Sequence, residues 1–368
     1  MATKATAKDI QLTFLRDTQH GGAPSQPADI ANMLADFIDG ADATLDVAIY
    51  DFRLSPALAE PVVKAFKAAA ARGVKVRIGY DANKPKTQTT AAFFAAGADP
   101  APPGTEDWLK ENFSGSTIEL KPIISPGSTL MHSKYIVRDG ASAKAAVWMG
   151  SANFTDGAWT RQENNILRFT SPALAAAYTT DFKEMWDSGI ITRSGAGDEG
   201  TTRIDGTDVS WAFSPGEGVS IDAHLVSAIK AANKRLRVSS MVLTSHAVLE
   251  ALAQAIDRGV DVAGIYDGGE MRGIEAEWHK SAASAPTLAL FKKVAASLVA
   301  KPSSTYSDTG PHDFMHNKVL VSDDLVLTGS YNFSKHAESN AENQLSLADA
   351  DIAEEYATYI DELVTQYR

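Results

Sequence analysis

The sequence has no cysteine among its 368 residues. Disulfide bonds, thiolate metal sites and cysteine nucleophiles are therefore excluded. It also lacks an apolar run approaching the roughly 18 residues of a membrane-spanning helix. Its first residues, MATKATAKDI, contain no apolar segment of the kind that marks a signal peptide. We expect a soluble protein, cytoplasmic or, if a signal peptide has been removed, secreted.

Basic residues are scarce relative to acidic ones. The chain has 34 Lys and Arg against 46 Asp and Glu, a formal net charge of −12. This balance disfavours non-specific binding of polyanions, which usually needs a broadly basic face, but it permits a local basic cleft. The length exceeds what a single core usually supports, so we expect two domains or one duplicated domain.

The chain repeats itself. TLDVAIYDF followed by ALAEPVVKAFKAAAARGVKVRIGYD is echoed by RLRVSSMVL followed by AVLEALAQAIDRGVDVAGIYD. Each copy predicts an apolar strand, an amphipathic helix and a second strand, with Gly73 and Gly259 just past the helix ends. Such strand–helix–strand units favour mixed, largely parallel sheets covered by helices.

The repeat continues downstream, where MHSKYIVRDG and VWMGSANFT are echoed by MHNKVLVSDD and VLTGSYNFS. Between the copies, TRSGAGDEGTTRIDGTD predicts a linker or exposed loop near residues 192–208. We predict an N-terminal half of residues 1–195 and a C-terminal half of residues 205–368. The expected fold is α/β, with two similar α-β-α sandwich halves packed as an internal pseudo-dimer.

Each copy contains polar residues in pairs whose members are two positions apart. The pairs are His132 with Lys134 and Ser151 with Asn153, then His316 with Lys318 and Ser330 with Asn332. Residues i and i+2 of a strand point to the same face, so the members of each pair project together. The serine and asparagine can join the histidine and lysine from a neighbouring strand.

Two such sets suit one phosphodiester. A neutral histidine can attack phosphorus and form a covalent intermediate, while the other, protonated, gives a proton to the leaving oxygen. The lysines, asparagines and serines would hold the non-bridging oxygens, because phosphoryl chemistry depends on charge neutralisation and positioning. Since two ammonium groups supply the positive charge, we expect no metal and no other cofactor.

A glutamate follows each set, ten residues after its asparagine: Glu163 and Glu342. A carboxylate bonded to one ring nitrogen fixes the tautomer of a histidine and raises its basicity. Our hypothesis is that each glutamate orients a histidine. A zinc site of two histidines and two glutamates is the competing interpretation. The neighbouring lysines and the lack of a closely spaced ligand pair argue against it.

The two patterns, His132-x-Lys134-x4-Asp139…Gly150-Ser151-x-Asn153 and His316-x-Lys318-x4-Asp323…Gly329-Ser330-x-Asn332, resemble the HKD signature of the phospholipase D superfamily. The resemblance implies one active site at the interface of two similar halves. It implies a nucleophilic histidine, usually the N-terminal one, a histidine acting as general acid, and structural roles for Asp139 and Asp323. The gaps from aspartate to glycine depart from the family's usual six residues, which we expect to change loop length only.

The substrate stays open. We expect a metal-independent phosphodiesterase, a phosphoric diester hydrolase acting through phosphohistidine on nucleic acid or on a phospholipid headgroup ester. Phe154 and Phe333 directly follow the motif asparagines. In this feature the chain resembles the small bacterial endonucleases of the superfamily, which favours a nuclease. A phospholipase D or transphosphatidylase on phosphatidylcholine-type lipids is the alternative, and an inactive duplicated scaffold is the third possibility.

Both half-sites lie in one chain, so we expect a monomer with internal pseudo-two-fold symmetry and no obligate protein partner. His312, just before the second motif, is a candidate for the rim of the site. Lys84 and Lys86 are more typical of a solvated loop than of a phosphate-binding rim.

Overall fold

The computed structural model describes residues 4–5, 9–82, 104–307 and 310–368. Lys84 and Lys86 lie outside the described residues. None of the helices in these ranges is long and apolar enough to cross a membrane.

The described elements of the first half end at residue 188. Its strands are β1 (Lys4–Ala5), β2 (Ile10–Leu15), β3 (Thr44–Ile49), β4 (Phe52–Arg53), β5 (Lys75–Asp81), β6 (Glu119–Ile123), β7 (Lys134–Arg138), β8 (Ala146–Gly150), β9 (Phe154–Thr155) and β10 (Asn164–Thr170). Its helices are α1 (Gln26–Asp39), α2 (Pro56–Ala71), α3 (Thr105–Phe113), α4 (Asp156–Thr160) and α5 (Pro172–Ser188).

The elements of the second half begin at residue 200. Its strands are β11 (Gly200–Ile204), β12 (Thr207–Ser214), β13 (Arg235–Ser240), β14 (Asp261–Asp267), β15 (Val299–Lys301), β16 (Lys318–Ser322), β17 (Leu325–Gly329) and β18 (Glu342–Ala348). Its α-helices are α6 (Gly218–Ala231), α7 (His246–Asp257), α8 (Gly268–Trp278), α9 (Ala285–Ala295) and α10 (Ala350–Tyr367). Two short 3-10 helices cover Ala282–Ser284 and Lys335–Ser339.

The repeat in the sequence is a repeat in structure. Each half contains an eight-stranded sheet, ordered β1-β2-β10-β8-β7-β3-β5-β6 in the first and β11-β12-β18-β17-β16-β13-β14-β15 in the second. The strand–helix–strand units form as predicted. In the first unit, α2 begins at Pro56, buries Val62 and Phe66, and is followed by Gly73 at φ +90°, a conformation that suits glycine just past a helix end. The α/β class with two similar halves is confirmed.

The prediction that the sheets are largely parallel is wrong. In each described sheet, five neighbouring strand pairs are antiparallel and two are parallel. The parallel pairs come from the strand–helix–strand units. The motif strands return through short connections, as from β16 to β17, and a short connection can join only antiparallel neighbours.

A second difference concerns residues 192–208, predicted as a linker or exposed loop. This segment contains β11, which pairs antiparallel with β12. The turn between the two strands is Asp205-Gly206, with φ of +48° and +94°. Two consecutive positive φ values are what a tight two-residue hairpin requires, and Asp-Gly supplies them readily. The segment therefore belongs in part to the second sheet.

Three apolar clusters stabilise the part of the chain that the structure describes. One packs α1 and α2 on the outer face of the first sheet, and a second packs α6 and α7 on the outer face of the second sheet. The third contains side chains of both sheets, including Val137 and Val319, together with Tyr178 of α5 and Tyr356 of α10. Because burial of this shared cluster removes apolar surface of both halves from water, it holds the halves together.

Candidate active site

The two motif histidines lie outside the strands to which the i, i+2 spacing assigned them, since His132 is two residues before β7 and His316 two residues before β16. The backbone of each one crosses to the other half. The N–H of His132 donates to the carbonyl of Ala341 (2.9 Å), and the N–H of His316 donates to the carbonyl of Glu163 (3.0 Å). These reciprocal bonds bring both motifs together at the interface of the halves.

Buried aspartates fix the residues that precede the histidines. Asp81, at the end of β5, accepts a hydrogen bond from the N–H of Met131 (2.7 Å), and Asp267, at the end of β14, accepts one from Met315 (2.7 Å). Burial raises the pKa of Asp267 to about 6, although hydrogen bonds oppose the rise. These residues end the repeated Tyr-Asp strands, so the repeat marks their positions in the sequence but does not indicate their role.

The motif lysines are buried and fold back toward the histidines. Nζ of Lys134 donates to the carbonyl of His132 (2.6 Å), and Nζ of Lys318 donates to the carbonyl of His316 (2.5 Å). Nζ of Lys134 also lies 4.9 Å from the ring centroid of Tyr50, a cation–π contact. Both ammonium groups are thereby held at fixed positions beside the two histidines.

His132 has a carboxylate partner from the other half of the chain. Its Nδ1 lies 2.8 Å from Oε2 of Glu342, and both side chains are fully buried. The other carboxylate oxygen of Glu342 accepts a hydrogen bond from Nδ2 of Asn340 (3.1 Å). Because an ionised carboxylate only accepts, Nδ1 of His132 carries the hydrogen, and Nε2 is the basic nitrogen of the ring.

His316 has a neutral partner instead. Its Nδ1 lies 3.0 Å from Oδ1 of Asn164. The amide orientation follows from its surroundings, because Nδ2 of Asn164 donates to the carbonyl of Ala158 (3.2 Å) and to Oε1 of Gln162 (3.1 Å). Oδ1 also accepts from the hydroxyl of Ser151 (2.8 Å). Nδ1 of His316 therefore also carries the hydrogen and donates it to the amide oxygen of Asn164.

Glu163 departs from the hypothesis that each glutamate orients a histidine. Its carboxylate is bonded to Nζ of Lys301 (2.5 Å) and to the hydroxyl of Tyr367 (2.5 Å), and it accepts a longer bond from the N–H of Asp17 (3.3 Å). Burial raises the pKa of Glu163, and the ammonium of Lys301 opposes that rise. The next residue, Asn164, takes the place beside the histidine.

Lys301 and Tyr367 could not be found through the repeat. Lys301 pairs with Asp267 in the register of β14 and β15, whereas Ile123 occupies the corresponding position beside Asp81 in the first half. An apolar residue in one copy and a buried ammonium in the other give no repeated pattern. The asymmetry is specific to the second half.

The motif serines make bonds within the protein. The hydroxyl oxygen of Ser151 accepts a hydrogen bond from the N–H of Asn165 (3.0 Å), and that of Ser330 accepts one from the N–H of Asn343 (3.0 Å). Both serines are fully buried. They join β8 to β10 and β17 to β18 next to the residues that contact the histidines.

The motif asparagines contrast with the serines. Asn153 and Asn332 are 8% and 2% exposed, and in the part of the chain that the structure describes their Oδ1 atoms have no hydrogen-bond partner. A buried polar atom without a partner costs about 1–3 kcal/mol. The same cost therefore occurs at equivalent positions in both halves.

The motif aspartates lie at the far ends of the motif strands. The carboxylate of Asp139 accepts hydrogen bonds from the three consecutive N–H groups of residues 42–44, and that of Asp323 accepts them from residues 233–235. Burial acts to raise the pKa of Asp323, but these bonds outweigh it and lower the pKa below its ordinary value. Each aspartate therefore anchors the segment that leads into the neighbouring strand of its sheet, β3 in the first half and β13 in the second.

A narrow cleft opens beside His316. It is lined by Tyr50, Asp51, Asn153, Thr155, Gln162, Met241, Tyr306, His312, Phe314 and His316. Residues of both halves thus form its walls, and the candidate rim residue His312 is one of them.

Comparison with known proteins gives a family match over two regions. Residues 34–186 and 225–364 match the family described as "Cardiolipin synthase, PLD-like domain", so each region contains one motif. No curated protein matches the chain in sequence.

The solved structures that resemble the chain have low sequence identity to it. Phosphatidylserine synthase of Haemophilus influenzae Rd KW20 is 13% identical with a TM-score of 0.65, over 100% of this chain and 87% of that one. Polyphosphate kinase of Porphyromonas gingivalis is 12% identical with a TM-score of 0.58, over 98% and 51%. Nuc of Salmonella typhimurium, a phospholipase D family member, is 29% identical with a TM-score of 0.35, over 44% and 97%. The first two likenesses show a shared fold, and the family match over most of the chain shows that it belongs to the PLD-like phosphodiesterase and synthase family.

Proposed function

We propose that this protein cleaves or transfers a phosphodiester through a covalent phosphohistidine formed on His132. The observation that carries this proposal is the pairing of His132 with Glu342 across the two halves, at 2.8 Å and fully buried. A buried carboxylate at Nδ1 stabilises the positive charge that a histidine gains when its other nitrogen forms a bond.

In the first step, Nε2 of His132 attacks phosphorus, and the bond from phosphorus to the leaving oxygen breaks. His316, in its protonated form, gives its Nε2 proton to that oxygen. In the second step, water or an alcohol gives a proton to His316 and attacks phosphorus, and the bond to His132 breaks. The net reaction is hydrolysis with water and group transfer with an alcohol.

The partners of the two histidines support this division of roles. A nearby negative charge favours the charged form of a histidine, whereas a neutral amide does so less. His316 is bonded to the neutral amide of Asn164. The carboxylate partner suits the nucleophile, because it stabilises the positive charge that His132 gains when its Nε2 bonds phosphorus.

Four further side chains would hold the phosphate. Lys134 and Lys318 supply positive charge beside the histidines. The Nδ2 groups of the buried Asn153 and Asn332 would donate to the non-bridging oxygens. Ser151 and Ser330 would act by holding the strands that position these groups. Because the lysines supply the charge, we propose that no metal is needed.

Nucleic acid is the substrate that we propose first, from the likeness of the motifs to small endonucleases. A phospholipid headgroup ester is the second candidate, and the match to a family described by a lipid synthase favours it. The test is incubation in EDTA with single-stranded DNA, plasmid and RNA, and in parallel with phosphatidylcholine vesicles. Cleavage of nucleic acid alone supports the first candidate, and release of choline alone supports the second.

His132→Asn and His316→Asn should each abolish whichever activity is found. Full activity of either variant would contradict the mechanism. A chain that cleaves nothing in either assay would support the third possibility, an inactive duplicated scaffold. Since one chain supplies both half-sites, we also propose a monomer; light scattering should give a mass near 39.2 kDa, and a mass of twice that value would contradict the monomer.

A further inference from the structure

A small polar cavity lies on the outer face of the first sheet, at the end of β7 that is remote from the histidines. Its volume is about 210 Å³, and the residues that line it include Asp36, Phe37, Arg138, Ala146 and Arg168. Arg138 follows His132 by six residues. At roughly 3.3 Å per residue of a strand, the cavity is about 20 Å from that histidine. It is therefore separate from the cleft beside His316.

Two arginines of the cavity have donors that the protein does not use. Arg138 and Arg168 are partly buried, and within the described ranges the Nε atom of each has no hydrogen-bond partner. Burial lowers the pKa of Arg138 and of Arg168, and the charges of nearby aspartates oppose that fall only in part. Because a buried charged donor without an acceptor is unfavourable, the cavity is suited to an anion.

Arg138 exceeds what its structural role requires. Its Nη1 donates to the carbonyl of Phe37 near the end of α1 (3.1 Å). In the second half, Ser322 ends β16 as Arg138 ends β7, and its hydroxyl donates in the same way to the carbonyl of Ala228 near the end of α6 (2.7 Å). A hydroxyl is therefore enough for this bond between strand and helix, and the rest of the guanidinium needs another explanation.

Two further positions differ between the halves in the same sense. Ser346 of β18 takes the place of Arg168 of β10, and Leu325 of β17 takes the place of Ala146 of β8. The first half thus has two arginines around a small side chain, whereas the second has two serines around a large one. An alanine leaves room that a leucine would fill. Because the positive charge and the small side chain occur together in one copy, they indicate a ligand rather than a requirement of the shared fold.

The size and the donors of the cavity favour a single phosphoryl group. A guanidinium group presents a planar fork of N–H donors that matches the oxygens of a phosphate. A volume of about 210 Å³ is below the roughly 300 Å³ at which sites for drug-sized ligands begin, so a nucleotide or a lipid fits poorly. Asp36 is exposed, and water therefore weakens its repulsion of an anion.

We propose that Arg138 and Arg168 bind one phosphoryl group, either as inorganic phosphate or as the end of a small phosphomonoester. This site goes beyond the proposed function, because it uses none of the residues assigned to catalysis. Since the attraction is between charges that water partly reaches, the affinity falls as the ionic strength rises.

Isothermal titration calorimetry with inorganic phosphate and, separately, with glycerol 3-phosphate tests the site. Arg138→Ser and Arg168→Ser introduce the residues of the second half, and each should raise the Kd about tenfold or more. Ala146→Leu keeps both charges but fills the space, so it should weaken binding as well. Arg203→Ser is the matched control, because this exposed arginine is paired with Asp208 and does not line the cavity. It should bind as the parent does.

Asp36→Asn gives a test of opposite sign. The substitution removes a negative charge from the wall of the cavity and should lower the Kd, and an exposed side chain can be exchanged without loss of the fold. Unchanged or weaker binding by this variant would overturn the proposal.

Thermal unfolding checks that each variant is folded. The proposal is also overturned if the parent binds neither compound, or if folded Arg168→Ser keeps the affinity of the parent. Binding that is lost in folded Lys134→Met but kept in Arg168→Ser would place the phosphate in the catalytic cleft and would contradict the site as well. Tighter binding of glycerol 3-phosphate than of phosphate would assign the site to a phosphomonoester, and the reverse order would assign it to the free ion.

Discussion

Nδ1 of His132 lies 2.8 Å from a carboxylate oxygen of Glu342, 210 positions later in the other half of the chain. The equivalent histidine is arranged differently, because His316 contacts the amide of Asn164. Asn164 occupies the place in β10 that Glu342 occupies in β18, because Ile166 pairs with Gly150 as Gln344 pairs with Gly329. Glu163, which has the sequence spacing of Glu342, lies one position earlier and is bonded to Lys301. Two copies of one motif thus give their histidines partners of different charge, and the proposed mechanism assigns the two histidines different roles on that basis.

Glu342→Gln tests the carboxylate partner of His132. The substitution keeps the shape of the side chain but removes the charge that stabilises the positively charged ring. We expect kcat to fall about 10²–10⁴-fold. Steady-state kinetics on the substrate found in the EDTA screen measures the fall, and thermal unfolding checks that the variant is folded. A folded variant with full activity would exclude this role for Glu342.

Glu163→Gln should act mainly on stability. Lys301 is fully buried, and its remaining carboxylate neighbour, Asp17, lies 3.6 Å away. Removal of the closer charge leaves a poorly compensated ammonium, which should lower the free energy of unfolding by about 3 kcal/mol. Combining the change with Lys301→Met should restore part of the loss. Urea unfolding measures both, and undiminished stability of Glu163→Gln would contradict this role.

The two glutamates also show where sequence reasoning ends. The repeat identified both histidines and their lysines because the pattern i, i+2 is local. It selected Glu163 by equal spacing, but the first copy has one residue more between its motif asparagine and the equivalent position of the strand, so Asn164 contacts His316 instead. Lys301 has no repeated counterpart, so no pattern in the sequence pointed to it.

Sheet topology was predictable only in part, because the sequence pattern reports on neighbouring residues and not on the direction in which distant strands pair. The helices and strands around Gly73 and Gly259 followed from apolar periodicity, which depends on neighbouring residues. The direction of the motif strands depends on connection length, and there the prediction of largely parallel sheets failed. The strand before Asp205-Gly206 was missed because polar composition was given more weight than the hairpin signal of that dipeptide.

The buried carboxyl group of Asp181 should make the free energy of unfolding depend on pH. Its carboxyl group is buried and accepts a bond from the hydroxyl of Tyr135 (2.6 Å). Burial raises the pKa of Asp181 to about 8, and the charges of Asp198, Glu184 and Glu217 add to the rise. The folded protein therefore keeps a proton that the unfolded chain loses near its ordinary pKa of about 4.

The contribution of this group to the free energy of unfolding falls as the pH rises from about 4 to about 8. Asp181→Asn removes the dependence, so the stability of the variant relative to the parent should increase through that window. Urea unfolding at about pH 5 and about pH 9 measures the difference. A difference that is the same at both pH values would contradict the raised pKa.

Gly150 and Gly329 should tolerate no side chain. A Cβ at either position would lie 2.2 Å from a carbonyl oxygen of the neighbouring strand, that of Asn165 or Asn343. Alanine at either position should lower the free energy of unfolding by about 3 kcal/mol or more. Gly73→Ala is the control, because it has φ +90° but nothing within 4 Å of the added atom. It should cost about 1 kcal/mol, and equal losses would exclude the clash as the cause.

The central claim, a phosphohistidine on His132, can be tested in a single turnover. Bis(4-nitrophenyl) phosphate has a leaving group that needs no proton, so His316→Asn should still complete the first step but not activate water for the second. We predict a burst of about one nitrophenolate per chain and a nitrophenyl phosphoryl group that peptide mass spectrometry, after an alkaline quench, locates on His132. His132→Asn should give neither. An adduct on another residue, or a burst that persists in His132→Asn, would contradict the account.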